Sequence, residues 1–261
     1  LERSSLSGTH SGNECWADGG GIYLWSPHYA SIDNCIISGN AARGDGGGLA
    51  AYAFDNNAGS PATVSIKNCL ISSNTTTLAL GVSGCGGGLD VMANAPYIQN
   101  CTIVRNRVVG DESPMIGGGG VSVAAFPTQP YSVGGISNSI VRLNIVTGTQ
   151  PVGKQIYSYR DCSIGYCNIE DGEAGVYGVY FWGEGNIADD PLFVDCTNEN
   201  YRLDYMSPCI DKGDPHYTPY PPDEKDLDNL RLRVNGDRID MGAYEYYDVL
   251  RGDLNCDDVI S

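Results

Sequence analysis

The sequence predicts an all-β solenoid, a parallel β-helix, on three observations. A six-residue motif returns five times along the chain, an asparagine follows each of the first four copies, and glycine runs open short apolar strands between them. A repeat of about 30 residues marks a unit that buries its apolar face only against its neighbours. No segment sustains a period of 3.6, and thirty-five glycines would weaken any helical array.

The copies are Ile32-Asp33-Asn34-Cys35-Ile36-Ile37, Ile66-Lys67-Asn68-Cys69-Leu70-Ile71, Ile98-Gln99-Asn100-Cys101-Thr102-Ile103, Ile136-Ser137-Asn138-Ser139-Ile140-Val141 and a worn Ile164-Gly165-Tyr166-Cys167-Asn168-Ile169. Their first residues lie 34, 32, 38 and 28 positions apart. Ile32, Cys35 and Ile37 can all face inward only if Asn34 turns and resets the alternation of the strand. Asparagine tolerates left-handed dihedrals better than most residues, so Asn34, Asn68, Asn100 and Asn138 are expected at corners.

The asparagines after each copy are Asn40, Asn74, Asn106 and Asn144, with Asn13 belonging to a preceding coil. Stacked amides of this kind hydrogen-bond along the solenoid axis. The glycine runs are Gly19 to Gly21, Gly46 to Gly48, Gly86 to Gly88 and Gly117 to Gly120, so the chain enters partway through a coil. Coils stack at roughly 4.8 Å, which puts equivalent side chains over one another. Ile32, Ile66, Ile98, Ile136 and Ile164 should form one column. Ile37, Ile71, Ile103, Val141 and Ile169 should form a second, and Cys35, Cys69, Cys101, Ser139 and Cys167 a third. The unequal inserts (Asn56 to Pro61, Thr75 to Cys85, Val109 to Met115) should leave the coil as loops.

Composition bounds the function. The 261 residues are 41% hydrophobic, enough for one elongated domain, and no run is long and apolar enough to span a membrane. Of the net charge of −17, residues 161–261 carry 23 acidic and 7 basic groups. So acidic a chain is a poor partner for nucleic acid or an anionic membrane. Without a signal peptide or initiator Met at Leu1, the chain reads as a mature or partial product. Ten cysteines point to an oxidising compartment. Those in the ladder are expected to be structural, as free buried thiols or as bridges between neighbouring coils, and Cys162–Cys167 and Cys196–Cys209 are the candidate local disulfides.

The Asn-Cys-x-Ile-x-x-Asn and Gly-Gly-Gly-Leu patterns resemble the repeats of right-handed parallel β-helix proteins of the pectate-lyase-like superfamily. Asp189-Asp190-Pro191-Leu192-Phe193-Val194-Asp195, Asn200-Tyr201-Arg202-Leu203, Ser207 to Pro215 and Arg238 to Tyr246 resemble the C-terminal block of bacterial secreted choice-of-anchor proteins. The resemblance implies a right-handed parallel β-helix of about six or seven coils over 1–185, and an irregular C-terminal cap over 186–247. It also implies an extracellular or cell-surface location. Residues 248–261 are similar to the start of a dockerin-type loop, which implies calcium as the cofactor, held by Asp253, Asn255 and Asp257. Asp258 departs from that pattern, which has glycine there, and the sequence stops short of the acidic twelfth position.

Candidate chemistry is sparse. Asp18, Asp33, Asp45 and Asp90 stand singly, so no carboxylate pair is offered. Asp189-Asp190-Pro191 reads as a turn into a strand, and Asp211, Asp214, Asp226, Asp228 and Asp240 as turn caps. His10, His28 and His216 are too separated for a metal triad. Tyr23, Trp25, Tyr29 and Tyr52 lie near the glycine strands, where packed or surface rings are the default. Arg105, Arg107 and Arg142 cluster in adjacent coils and are the candidate glycan-binding residues. The expected function is therefore a secreted or cell-surface, non-catalytic structural or adhesive protein. Its expected partners are copies of itself in a fibre, or an extracellular polysaccharide. The alternative is a polysaccharide lyase or glycoside hydrolase acting on an acidic glycan at the arginine face.

Overall fold

Short strands joined by corners wind into a parallel solenoid whose register follows the motif. The computed structural model describes residues 3–247 except 26, 54–61, 78–83, 111–115, 126–133, 149, 231 and 235. One stack, here the glycine-led sheet, runs through Ile22–Trp25, Leu49–Ala53, Leu89–Ala93, Val121–Ala125 and Ile156–Gly165 to Val176–Trp182. A second stack, the motif sheet, runs through Arg3–Ser11, Tyr29–Ser38, Thr63–Lys67, Ala95–Gln99 and Gly135–Ser137, and ends on the same two long strands. Leu70–Ser72, Thr102–Val104, Ile140–Arg142 and Asn168–Ile169 make a third, flanking stack. Every pairing in these stacks is parallel.

The expected columns form. Ile32, Ile66, Ile98, Ile136 and Ile164 pair in that order, as do Ile37, Ile71, Ile103, Val141 and Ile169. All are essentially inaccessible to solvent. Burying each isoleucine contributes about 2–3 kcal/mol, so the core is the main favourable term. The corners are left-handed, with φ of 52°, 53°, 54° and 47° at Asn34, Asn68, Asn100 and Asn138, and 53° at Tyr166 in the worn copy. The ladder cysteines follow them into the core, where the Cys35 N–H donates to Cys69 Sγ at 3.4 Å and the Cys101 N–H to Ser139 Oγ at 3.1 Å.

The second asparagine set forms a continuous amide ladder, buried from Asn40 onward. Nδ2 of Asn13, Asn40, Asn74 and Asn106 donates to Oδ1 of the next asparagine at 3.0, 3.0, 2.9 and 3.1 Å. Each Oδ1 also accepts the backbone N–H of the residue below it. Asn144 passes the chain to Gln155 Oε1 at 2.8 Å, and Gln155 Nε2 to Glu170 Oε2 at 2.6 Å. The glycine runs make room for this ladder. A Cβ on Gly48 would sit 2.9 Å from Asn74 Nδ2 and 2.7 Å from the Gly88 carbonyl.

Three expectations are corrected. Of the expected loops, Thr75–Thr77, Gly84–Cys85 and the strand Arg107–Val109 belong to the coil, while 56–61, 78–83 and 111–115 lie outside the described residues. The block 186–247 packs along the flank rather than over the end. Glu224 reaches Lys67, Tyr217 reaches Asn100, Asp214 reaches Asn138, and Asn168 reaches Asp189. Leu70 and Val104 pack with Tyr201 and Tyr244, and Ile140 packs with Leu203, Cys209 and Met241. Tyr180 and Trp182 of the last strand pack against the main core instead. The flank of the third stack carries apolar side chains outward, and the C-terminal block covers them.

No disulfide joins cysteines among the described residues, so neither Cys162–Cys167 nor Cys196–Cys209 is bonded. Cys167 Sγ donates to the Gly165 carbonyl, whereas Cys162 Sγ donates to that of Ser163. Cys196 and Cys209 pack in separate apolar clusters, over different coils. The tail with Asp253, Asn255 and Asp257 lies outside the described residues. Among those described, no helix is long and apolar enough to cross a membrane.

The ladder predicts a position-dependent cost. Asn74→Ala removes the acceptor for two Asn40 donors and strands the Ile37 carbonyl, and should cost about 3 kcal/mol in urea unfolding. Asn13→Ala, at the exposed first rung, should cost less than about 1 kcal/mol. Equal costs at both positions would contradict a cooperative ladder.

Candidate functional site

Two outer surfaces collect polar and aromatic side chains. The first is an open groove of about 980 Å³ over the motif sheet. Alternation sends the isoleucines inward and the residues between them outward, so Ser31, Ser65, Tyr97, Gly135, Ser163 and Phe181 line up across successive coils. The small members form a floor. Tyr97 and Phe181 stand above it, 45% and 68% exposed, and Tyr220 of the C-terminal block faces them at 84%.

Charge in the groove is acidic. Asp33, Glu184 and Asp214 line it, and its lining cation, Lys67, is held by Glu224 Oε2 at 2.6 Å. Burial raises the Asp33 carboxyl above the usual range, against the pull of Lys67 and the Asn68 amide. Burial would also raise Glu224, but bonds from Lys67, Asn68 and Tyr217 bring it below its ordinary value. Glu224 thus ties the C-terminal block to the corner asparagine Asn68 and keeps the groove walls together.

The second surface is the outer side of the glycine-led sheet. Gly19, Gly46 and Gly86 turn through left-handed φ of 69°, 66° and 73°, just after Asp18, Asp45 and Cys85. Asp45 N–H donates to Asp18 Oδ1 at 2.9 Å, and Cys85 N–H donates to Asp45 Oδ1 at 2.7 Å. Asp90 sits between the core residues Leu89 and Val91, and so points outward beside Tyr52 and Asp45. It is fully buried, and hydrogen bonding from Ser122 on the next strand and from Tyr52 pulls its pKa down against that burial.

Burial, then the nearby Asp45 and Asp18 charges, push Asp90 up to about 8. Burial and the Asp18 charge push Asp45 up to about 6. Burial and the neighbouring carboxylates raise the Tyr52 hydroxyl as well. Cys85 Sγ lies 2.9 Å from the Tyr159 hydroxyl, and its thiol is pushed up to about 12, mainly by burial. Two aromatic groups flank the carboxyls. Tyr23 and Trp25 stack at 6.4 Å with Tyr52 edge-on to both, while Tyr157 lies 4.3 Å from Tyr159 and 5.8 Å from Tyr177.

The arginines chosen from sequence are not gathered into one surface. Arg142 lies in the flanking stack, and its Nη1 donates to Asn168 Oδ1, Ala188 O and Asp189 O at 3.0, 2.8 and 2.9 Å. Arg105 stands at a left-handed corner, with Nη2 3.7 Å from Cys196 Sγ, and Arg107 projects from a separate short sheet. Asp18, Asp45 and Asp90, read singly in the sequence, are the carboxylates that converge. Asp18 and Asp45 share a place immediately before a glycine run, which was the available signal for those two, whereas Asp90 follows its run and carries no such mark. No group of three metal-ligating side chains stands close enough to hold an ion among the described residues.

A family model described as the right-handed beta helix region matches residues 20–198. No curated protein and no solved structure matches the chain.

The Asp90 carboxyl predicts a pH dependence. Its folded value lies above the unfolded value of about 3.9, so its contribution to stability is fully present below pH 4 and is lost as pH rises towards about 8. Asp90→Asn should leave the melting temperature at pH 4 nearly unchanged and raise it at pH 8. Parallel melting curves for both proteins across that range would refute the assignment.

Proposed function

Because the chain belongs to the right-handed β-helix family, we propose that it is an extracellular or cell-surface protein that holds a neutral glycan chain in the groove over the motif sheet. The observation that carries this reading is the set of exposed Tyr97, Phe181 and Tyr220 rings above a floor of serine and glycine. Ring faces cover the C–H faces of sugars, and small polar side chains meet their hydroxyls without filling the space. The groove is open along the stack, so a polymer can lie through it.

Charge selects the class of glycan. Asp33, Glu184 and Asp214 repel a polyanion, and Lys67 is already neutralised by Glu224. This departs from the acidic glycan expected at the arginine face. Arg142 spends its guanidinium on the C-terminal block, which supports the groove over that face.

Affinity electrophoresis through neutral gels (xylan, glucan, mannan) and anionic gels (pectate, alginate) tests the reading. Retardation is expected in a neutral gel, with a loss of about tenfold in affinity for the Tyr97→Ala, Phe181→Ala double variant. Retardation confined to anionic gels, or unaffected by the double variant, would refute it.

A further inference from the structure

The last strand of the solenoid, Val176–Trp182, pairs on one side with Ile156–Gly165, and among the described residues no strand pairs with its other side. The C-terminal block lies along the flank, and Gly178, Val179 and Phe181 stay exposed. Charged side chains or a proline ordinarily keep a sheet edge from taking on a further strand. Val176-Tyr177-Gly178-Val179-Tyr180-Phe181-Trp182 has neither. Three contacts with the preceding coil fix the direction of its backbone groups. The Gly175 carbonyl accepts from the Gln155 N–H at 3.0 Å, the Val179 carbonyl accepts from Ser158 Oγ at 2.7 Å, and the Gly183 N–H donates to the Ile164 carbonyl at 2.8 Å. Alternation then turns the N–H and C=O groups of Val176, Gly178, Tyr180 and Trp182 towards the open side.

We propose that this edge is the interface of a two-fold dimer, in which Val176–Trp182 pairs antiparallel with the same strand of a second copy, centred on Val179. A second copy is the occupant because the strand is complementary to itself in this register. Val176 then lies opposite Trp182, Tyr177 opposite Phe181, Gly178 opposite Tyr180, and Val179 opposite its own counterpart. The hydrogen-bonded pairs are those of Val176, Gly178, Tyr180 and Trp182, the residues whose backbone groups face the open side. On the core-facing side each large ring meets a small partner. A Cβ on Gly178 would collide with the Ser158 carbonyl, so this position stays bare, and an aromatic ring opposite a strand glycine covers it. On the outward side the pairs are aromatic with aromatic and valine with valine, both favourable across antiparallel strands. Glu173 and Glu184 fall beyond the ends of the contact, and Glu173 accepts from the Tyr180 hydroxyl at 3.3 Å. A contact of this symmetry closes on itself, so assembly stops at two chains.

Sedimentation equilibrium of the full chain is the test, and a species of twice the chain mass is expected in reversible exchange with the monomer. Val179 is 56% exposed, so Val179→Lys leaves the coil folded while setting two like charges on the symmetry axis. The dissociation constant should rise by about 10²-fold. Crosslinking reads the register. Residues opposite one another in a non-hydrogen-bonded pair stand about 4.5 Å apart at Cα, within reach of a disulfide. Val179→Cys should therefore join two chains on mild oxidation, whereas Tyr177→Cys and the unsubstituted chain should not. A monomer at every concentration, a dimer unaffected by Val179→Lys, growth beyond two chains, or equal crosslinking by Tyr177→Cys would overturn the proposal. Val179 does not line the groove, so glycan affinity should be unchanged in Val179→Lys, and either reading can fail without the other.

Discussion

The amide ladder is the constraint on which the rest depends. Coils of unequal length can stack in register only if some element of each sits at a fixed height, and Asn40, Asn74, Asn106 and Asn144 supply it. Asn74, Asn106 and Asn144 each donate both along the ladder and to an isoleucine carbonyl, those of Ile37, Ile71 and Ile103 in turn. Those carbonyls belong to the apolar column, so the polar ladder and the hydrophobic core share one register. Gln155 and Glu170 then end the ladder with a longer amide and a carboxylate, and Lys154 neutralises that carboxylate at 3.3 Å.

With the interior pinned, the exterior is free to vary. On the motif sheet, small outward residues leave a trough that becomes a groove when the C-terminal block supplies Asp214 and Tyr220 as its far wall, with Glu224 holding that block to Lys67. That block is held by the outward edges of the corner asparagines. Asn68 donates to Glu224, Asn100 to the Tyr217 hydroxyl, and Asn138 Oδ1 accepts from the Asp214 N–H. Residues that set the corners thus also dock the wall.

The glycine-led sheet carries the opposite arrangement. Its outer side bears half-buried and buried carboxyls, Asp18, Asp45 and Asp90, that hydrogen-bond to neighbouring coils yet sit close enough to raise one another's pKa. The same burial that costs stability at high pH keeps the carboxyls able to hold a proton.

The sequence by itself determined the solenoid, its corners, its apolar columns and its amide ladder. All of these depend on spacing within one coil and on residues whose dihedrals or amides have few alternatives. Asn34, Ile32 and Asn40 could each be assigned before any coordinate was known. Only the tertiary structure decided the surfaces. Asp18, Asp45 and Asp90 converge because stacking turns separations of 27 and 45 residues into neighbouring coils, and Arg142 is spent on a block 46 residues downstream. The C-terminal block lies on the flank because Leu70, Val104 and Ile140 face outward there and need cover. Its own sequence, rich in turns, carries no period from which that choice could be read.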